Sequence, residues 1–267
     1  ITTLGRGGSD TSAVAMAVAL EASLCEINTD VDGVFSADPR FVPKARLIDR
    51  LDFETALEMA SLGSKVLHPR CVELGAKYQL PIVVRNSFKS EEHRRTTLMP
   101  LDQEPIESPV VSGVSVDPQV AKITITKLPT ASRAISTIFA AMGKLGVNVD
   151  IIIHQVGAEG RMQLGFTVGT QDSTATCAEV ERLLKQPEFE GAAYTHESDL
   201  AKVSVVGMGM RSHSGVASRT FTALAEANVP IQMISTSEIK ISCVVGGSDA
   251  DSAAKALHRA FVEESGS

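Results

Sequence analysis

The stretch Gly146-Val147-Asn148-Val149-Asp150 stands between a helical pattern and an apolar run, and Asn228-Val229-Pro230-Ile231-Gln232 stands at the same offset in a second unit. Ahead of the first copy, Ile135, Ile138, Phe139 and Met142 share one helical face. Ahead of the second, Ala217, Thr220, Phe221 and Leu224 repeat that spacing. The pattern predicts unit one as strand 121–127, helix 131–145, strand 149–154, strand 162–168 and helix 174–184. It predicts unit two as strand 203–207, helix 216–227, strand 231–235, strand 240–245 and helix 250–263. Two tandem βαββα units, each short of one strand, follow the ferredoxin-like plan. The runs 110–116 and 192–196 are candidates for the missing strands, and the sequence leaves open which unit each joins.

Toward the front the rhythm changes to alternating strand and helix. A strand at 1–4 leads into a glycine-rich turn at 5–10, a helix over 11–20 and a strand over 25–29. A long loop carries Asp30, Asp32, Gly33, Asp38 and Pro39. Asp52 is placed to cap a helix over 54–60, and Pro69 suits the first turn of a helix ending near Lys77. A short apolar strand follows at 81–85. This alternation implies an α/β layered domain with a mostly parallel sheet. From 89 to 109 the chain is polar and punctuated by Pro100, Pro105 and Pro109, so a boundary is expected near 105. The expected division is 1–105, 106–190 and 191–267. The chain opens on Ile1 as if inside a strand, and a natural start upstream is expected.

Composition narrows the function classes. The 267 residues are 43% hydrophobic, enough for more than one core. No run approaches 18 unbroken apolar residues, so no span across a membrane is expected. The formal net charge is -7 with Lys and Arg scattered, which argues against nucleic acid. Four cysteines, none in a CxxC pair, read as free thiols in a reducing cytoplasm rather than a disulfide framework. No residues show metal-ligand spacing, so no metal site is assigned.

Three segments carry chemistry. Gly5-Arg6-Gly7-Gly8-Ser9-Asp10 lies between strand and helix. Its glycines permit close approach of an anion, the helix start presents free N–H groups, and Arg6 adds a fork for a carboxylate. Thr29-Asp30 ends a strand, where α/β sheets place ligands. Lys65 follows the flexible Leu62-Gly63-Ser64. Singly, each also reads as a tight turn, a solvated acidic loop and a surface lysine.

Their succession is more specific. Thr3-Leu4-Gly5-Arg6-Gly7-Gly8-Ser9-Asp10-Thr11-Ser12-Ala13, then Thr29-Asp30-Val31-Asp32-Gly33-Val34-Phe35-Ser36-Ala37-Asp38-Pro39-Arg40, then Glu58-Met59-Ala60-Ser61-Leu62-Gly63-Ser64-Lys65-Val66-Leu67-His68-Pro69-Arg70 closely resembles the aspartokinases. Arg211-Ser212-His213-Ser214-Gly215-Val216 and Ile234-Ser235-Thr236-Ser237-Glu238-Ile239-Lys240 continue the match. The resemblance implies an α/β fold: the C-terminal half of an amino-acid-kinase αβα sandwich followed by two ferredoxin-like ACT units. It implies ATP-dependent phosphorylation of the L-aspartate side chain, with Mg²⁺, on the route to lysine, threonine and methionine. Carried over by motif, Arg6, Ser9 and Asp10 would hold the substrate. Thr29, Asp30, Phe35, Arg40 and Lys65 would meet the nucleotide, with Phe35 where the family usually has Tyr. Lysine or threonine would bind as feedback effectors at Thr130, Ala131, Asn148, Asp150, Ser235, Thr236 and Glu238. Thr130-Ala131-Ser132 departs from the family's usual Pro-Gly. A homodimer through the ACT units, or a heteromer with a catalytic chain, is expected. The family's Lys-Phe-Gly-Gly segment is not in this sequence, so the chain taken alone is expected to turn over negligibly. The alternative is a non-catalytic sensing subunit. A third reading, a kinase of the same fold acting on glutamate or carbamate, is opposed by the paired sensing units.

Overall fold

Helix α1 (Gly8–Ala19) begins where Gly7 adopts a left-handed φ of 72°. A side chain there would collide with the His68 ring, so the turn and the segment before α3 (Pro69–Tyr78) fit only with glycine at 7. The computed structural model describes residues 5, 7–62, 66–89, 94–100, 109–130, 132–157 and 160–264. The expected strand at 1–4 and the boundary near 105 lie outside them. Among the described residues, no helix is long and apolar enough to cross a membrane.

The front sheet contains β1 (Cys25–Thr29), β2 (Arg50–Asp52), β3 (Ile82–Asn86) and β4 (Arg95–Met99), in the order β1-β3-β4-β2. β1 and β3 are parallel, as are β2 and β4, while β3 and β4 are antiparallel. Two of the three pairings are thus parallel, as expected, and β3–β4 is the antiparallel one. β4 lies in the stretch read as a polar crossover. Its Thr96 and Leu98 are fully buried on one face, while charged Arg95 stands outside. Helix α2 (Phe53–Ser61) is capped as expected, with the Asp52 carboxylate accepting from the Thr55 N–H at 2.7 Å. Helices α1, α2 and α3 cover a core that includes Val14, Ile27, Leu51, Met59, Val72, Ile82 and Leu98.

The back half is one antiparallel sheet of six strands. These are β5 (Gly113–Pro129), β6 (Val149–Val156), β7 (Arg161–Gly169), β8 (Ala193–Val206), β9 (Ile231–Thr236) and β10 (Lys240–Gly246), in the order β6-β7-β5-β8-β10-β9. Helices α4 (Ser132–Leu145) and α5 (Ser173–Leu184) cover unit one; α6 (Val216–Glu226) and α7 (Ala250–His258) cover unit two. The two long strands decide where the spare runs go. Residues 113–117 of β5 pair with 202–206 of β8 and complete unit two; 120–126 pair with 193–200 and complete unit one. Register shifts between Asp117 and Lys122 mark the crossing. A division at 190/191 therefore does not separate two closed sheets, because each unit borrows a strand end across it. Val120, Ile151, Leu200, Met233 and Val244 form a small core of their own, near where β6 approaches β9.

The halves are docked. Ala37 and Val42 of the front loop are buried in the core of unit two, with Phe41 and Ala45 packed alongside. Arg211 pairs with Glu54 at 2.7 Å and Lys240 with Glu58 at 2.9 Å, tying α2 to unit two.

Candidate functional site

β1 runs out at Thr29, and the chain turns back across the end of the sheet. Thr29, Asp30, Val31, Gly33, Phe35, Ala37, Asp38, Pro39 and Arg40 line a cavity of about 500 Å³. Met59 of α2, Val66 and residues 114–116 of β5 form further parts of its lining. The volume lies within the range of small-ligand clefts, roughly 300–1,000 Å³. Four of the five residues expected at the nucleotide, Thr29, Asp30, Phe35 and Arg40, are thus brought together. Lys65 lies outside the described residues, next to Val66.

Bonds to the next strand shape the loop. The Thr29 carbonyl accepts from the Ser87 N–H at 2.8 Å, and the Asn86 amide donates to the Asp30 carbonyl at 3.1 Å. Buried Asp32 takes Lys89 at 2.8 Å and Arg94 at 2.9 Å. The hydrogen bond from Lys89 holds the Asp32 carboxyl below the usual range, against the opposing effect of burial. Gly33 has a φ of 152°, and a Cβ there would press on the Thr96 backbone N at 2.9 Å. Arg40 forks onto Asp38, the closest approach being 2.6 Å, and this bond raises its pKa further. Its guanidinium stands at the exposed rim, where an incoming phosphate would compete with Asp38 for the same donors.

Ser9 and Asp10 sit on the first turn of α1, outside the cavity lining. The Ser9 hydroxyl donates to Asp10 at 3.3 Å. Burial, with the Asp10 charge second, pushes the Cys71 thiol up to about 12. Val66 lines the cavity and His68 meets Gly7, so the glycine turn stands about 7 Å of chain from the cavity wall. Arg6 lies outside the described residues.

A second cavity, of about 280 Å³, lies between the end of α2 and the tandem sheet. Ser61, Leu62, Asn148, Asp150, Thr167, Lys202 and Lys240 are among its walls. The Asp150 carboxylate accepts from the ammonium of buried Lys202. The other expected effector residues are elsewhere. Thr130 follows Pro129, which pairs with Arg161, whereas Val149 pairs with Val168 at the other end of β7, about 24 Å along that strand. Ser235 and Thr236 lie on β9, and Glu238 pairs with Arg211 at 3.0 Å. Ala131 lies outside the described residues. Within one chain the six described ones do not form a single site, because Thr130 and the Asn148–Asp150 segment stand at opposite ends of β7.

Comparison with known proteins follows the same division. A model of the amino acid kinase family matches residues 1–86, and a model of the ACT domain matches 203–261. Aspartokinase 2 of Bacillus subtilis is 46% identical over 261 residues, covering 98% of this chain and 62% of that protein. The regulatory subunit of aspartate kinase from Thermus thermophilus is 32% identical with a TM-score of 0.53, covering 57% of this chain and 99% of that one. The chain belongs to the aspartokinase family. Aspartokinase III of E. coli, solved in complex with aspartate and ADP, matches with a TM-score of 0.79 at 28% identity, over 97% of this chain and 57% of that one. The chain thus spans about three fifths of the length of Aspartokinase 2 and of aspartokinase III.

Set beside the family's motifs, the cavity adds residues that motif reading passed over. Met59 and Val66 stand inside the quoted stretch 58–70 but carry only an apolar signal. Residues 114–116 come from β5 of the tandem sheet, and no local pattern connects them with Thr29. Asp32 and Asp38 were visible as acidic loop residues; their partners Lys89, Arg94 and Arg40 turn them into braces of the loop.

Proposed function

We propose that this chain carries the nucleotide-facing part and the effector-sensing part of an aspartate kinase, which transfers the terminal phosphoryl group of ATP to the side-chain carboxylate of L-aspartate. The observation that carries the reading is the cavity at the end of β1, which collects Thr29, Asp30, Phe35 and Arg40 in one cleft of ligand size. Phe35 offers an apolar face to the base. Thr29 and Asp30 hold the nucleotide from the strand end. Arg40 and Lys65 take the phosphates, and Arg6, Ser9 and Asp10 orient the substrate from the start of α1. Phosphoryl transfer asks the protein mainly for alignment and charge neutralisation. Mg²⁺ takes one or two carboxylates beside phosphate oxygens and keeps several waters. The exposed carboxylate of Asp30 at the cavity fits that donor set; when bound, the ion neutralises phosphate charge.

Lysine or threonine is the proposed effector class. Asp150 and Lys202 offer the charge complement of an amino acid's ammonium and carboxylate at the second cavity. Thr130, Ser235, Thr236 and Glu238 lie outside that cavity's lining and would join a ligand there only with a second chain, in line with a homodimer through the ACT units. Buried thiols suit a cytoplasmic setting. A sensing subunit without turnover is the second reading, favoured by the match of the back half to the Thermus thermophilus regulatory subunit. Calorimetry separates them. ATP with Mg²⁺ is expected to bind the chain, and Phe35→Ala to weaken it roughly tenfold, in keeping with about 1–3 kcal/mol for base stacking. Lysine and threonine, singly and together, are expected to give heat that Asp150→Ala removes. Hydroxamate detection with aspartate is expected to show negligible turnover by the chain alone. Absence of ATP binding would leave only the sensing subunit.

A further inference from the structure

We propose that His258 is a positioning residue for the nucleotide-facing loop, through which the last helix of unit two braces the cleft. The inference rests on the cavity at the end of β1 being the nucleotide site. His258 closes α7 and is fully buried. Its Nε2 lies 2.9 Å from the Oγ of Ser36, which is 3% exposed. Ser36 stands between Phe35 and Ala37, both on the cavity wall, and is itself absent from that wall.

Each polar group of Ser36 has a partner. Its N–H donates to the Arg46 carbonyl at 2.8 Å, and its carbonyl accepts from the Val114 N–H at 2.7 Å. Its Oγ accepts from the Arg46 N–H at 2.9 Å, which leaves the hydroxyl proton for His258. On the other side, His258 Nδ1 lies 3.2 Å from Glu263 Oε1, and Glu263 also takes Lys44 at 2.8 Å. Lys44 holds Glu263 below the usual carboxylate range, with His258 contributing less. An ionised carboxylate only accepts, so Nδ1 carries a ring proton; in the neutral imidazole Nε2 is then the acceptor, and Ser36 donates to it. The order of contacts is then Lys44, Glu263, His258, Ser36: it leaves the front loop, enters unit two and returns to the front loop.

Two features set this apart from ordinary packing. Residues 258 and 263 are five apart, and the chain between them is a π-helical turn, Arg259–Glu263, a rare form that closes i to i+5. The turn brings Glu263 to the ring. Second, the order Ser36–His258–Glu263 is that of a nucleophilic triad, yet both Ser36 and His258 are closed to solvent, so no substrate reaches Oγ. The geometry serves to hold the loop rather than to attack.

Hydrogen exchange and nucleotide binding on the full chain test this. His258→Gln keeps an acceptor near the Nε2 position; His258→Asn keeps a donor near Nδ1 and loses the bond to Ser36; His258→Leu loses both. The Ser36 and Arg46 amides are expected to exchange at least tenfold faster in the Leu and Asn variants, with protection in α4 and α5 unchanged and the Gln variant close to wild type. The dissociation constant for ATP is expected to rise about five- to tenfold in the same two variants, the scale of one buried hydrogen bond. Where His258→Leu does not fold, Ser36→Ala removes the bond from the loop side; it also takes the acceptor of the Arg46 N–H, so the Ser36 amide and ATP binding are the readouts there, and both are expected to change as in the Asn variant. Equal behaviour of Gln, Asn and Leu, or no change at the two amides, overturns the brace. Failure of wild type to bind ATP overturns the reading of the cavity instead, and the exchange comparison still decides the brace.

Discussion

Asp32 shows how a loop residue acquires a structural role from distant partners. Its carboxylate is 5% exposed and gathers Lys89, Arg94 and Asn86, which close the turn between β1 and the cavity onto β3 and the chain beyond it. Replacing it with alanine is expected to cost about 2 kcal/mol, at the low end for a buried charge because Lys89 and Arg94 are half-exposed and can turn to water. The pH dependence has a definite sign. The folded-state pKa is lowered, so the contribution is fully present above the unfolded value and is lost as pH falls through the lowered one. Melting temperatures of wild type and Asp32→Ala should therefore differ near neutrality and converge below about pH 4. The acidic loop was visible in the sequence as Asp30, Asp32 and Asp38 ahead of Arg40. Its pairing was not, because Lys89 and Arg94 are drawn in by the return of the chain through α2, α3 and β3, and no local pattern carries that closure.

At the scale of elements, α2 connects both cavities with unit two. Its Met59 faces the first cavity, Ser61 lines the second, and Glu54 and Glu58 reach Arg211 and Lys240 of unit two. It starts on a buried cap, so Asp52→Ala is expected to cost about 1 kcal/mol or somewhat more. Thermal melts should show the loss, and it should persist in high salt, which screens the exposed Arg211–Glu54 pair but not the cap. Caps and prolines made α2 and α3 legible: Asp52 ahead of one, His68-Pro69 ahead of the other. The strands were harder to read. β4 alternates Thr96 and Leu98 inward within a charged stretch, and that short pattern is outweighed by Arg94, Arg95 and Pro100. β5 hides its continuity because Asp117-Pro118-Gln119 reads as a break, whereas the chain continues through a register shift from the unit-two part of the sheet to the unit-one part.

At the scale of the whole molecule, the succession of modules was legible and their interpenetration was not. Duplicated units announce themselves by period, but which spare strand each takes depends on pairing between residues far apart in sequence, from Thr126 with Ala193 to Gly113 with Val206. The result is an exchange: residues 113–117 precede unit one and complete unit two, while 193–200 begin the strand of unit two and complete unit one. The same exchange puts residues 114–116 on the wall of the front cavity, so the tandem sheet is part of that cleft. A definite folding behaviour follows. Neither unit holds a complete sheet within its own boundaries, so a fragment ending at 190 leaves β5 with an open edge and strips Leu200 from the small core around Val120. Residues 109–190 alone are expected to show no cooperative urea transition by circular dichroism. Residues 109–264 retain both long strands and are expected to unfold in a single step, at lower urea than the full chain because Ala37 and Val42 no longer fill the core of unit two. Two separate transitions in the longer fragment, or a cooperative one in the shorter, would mean that the units close independently and that the shared strands do not couple them.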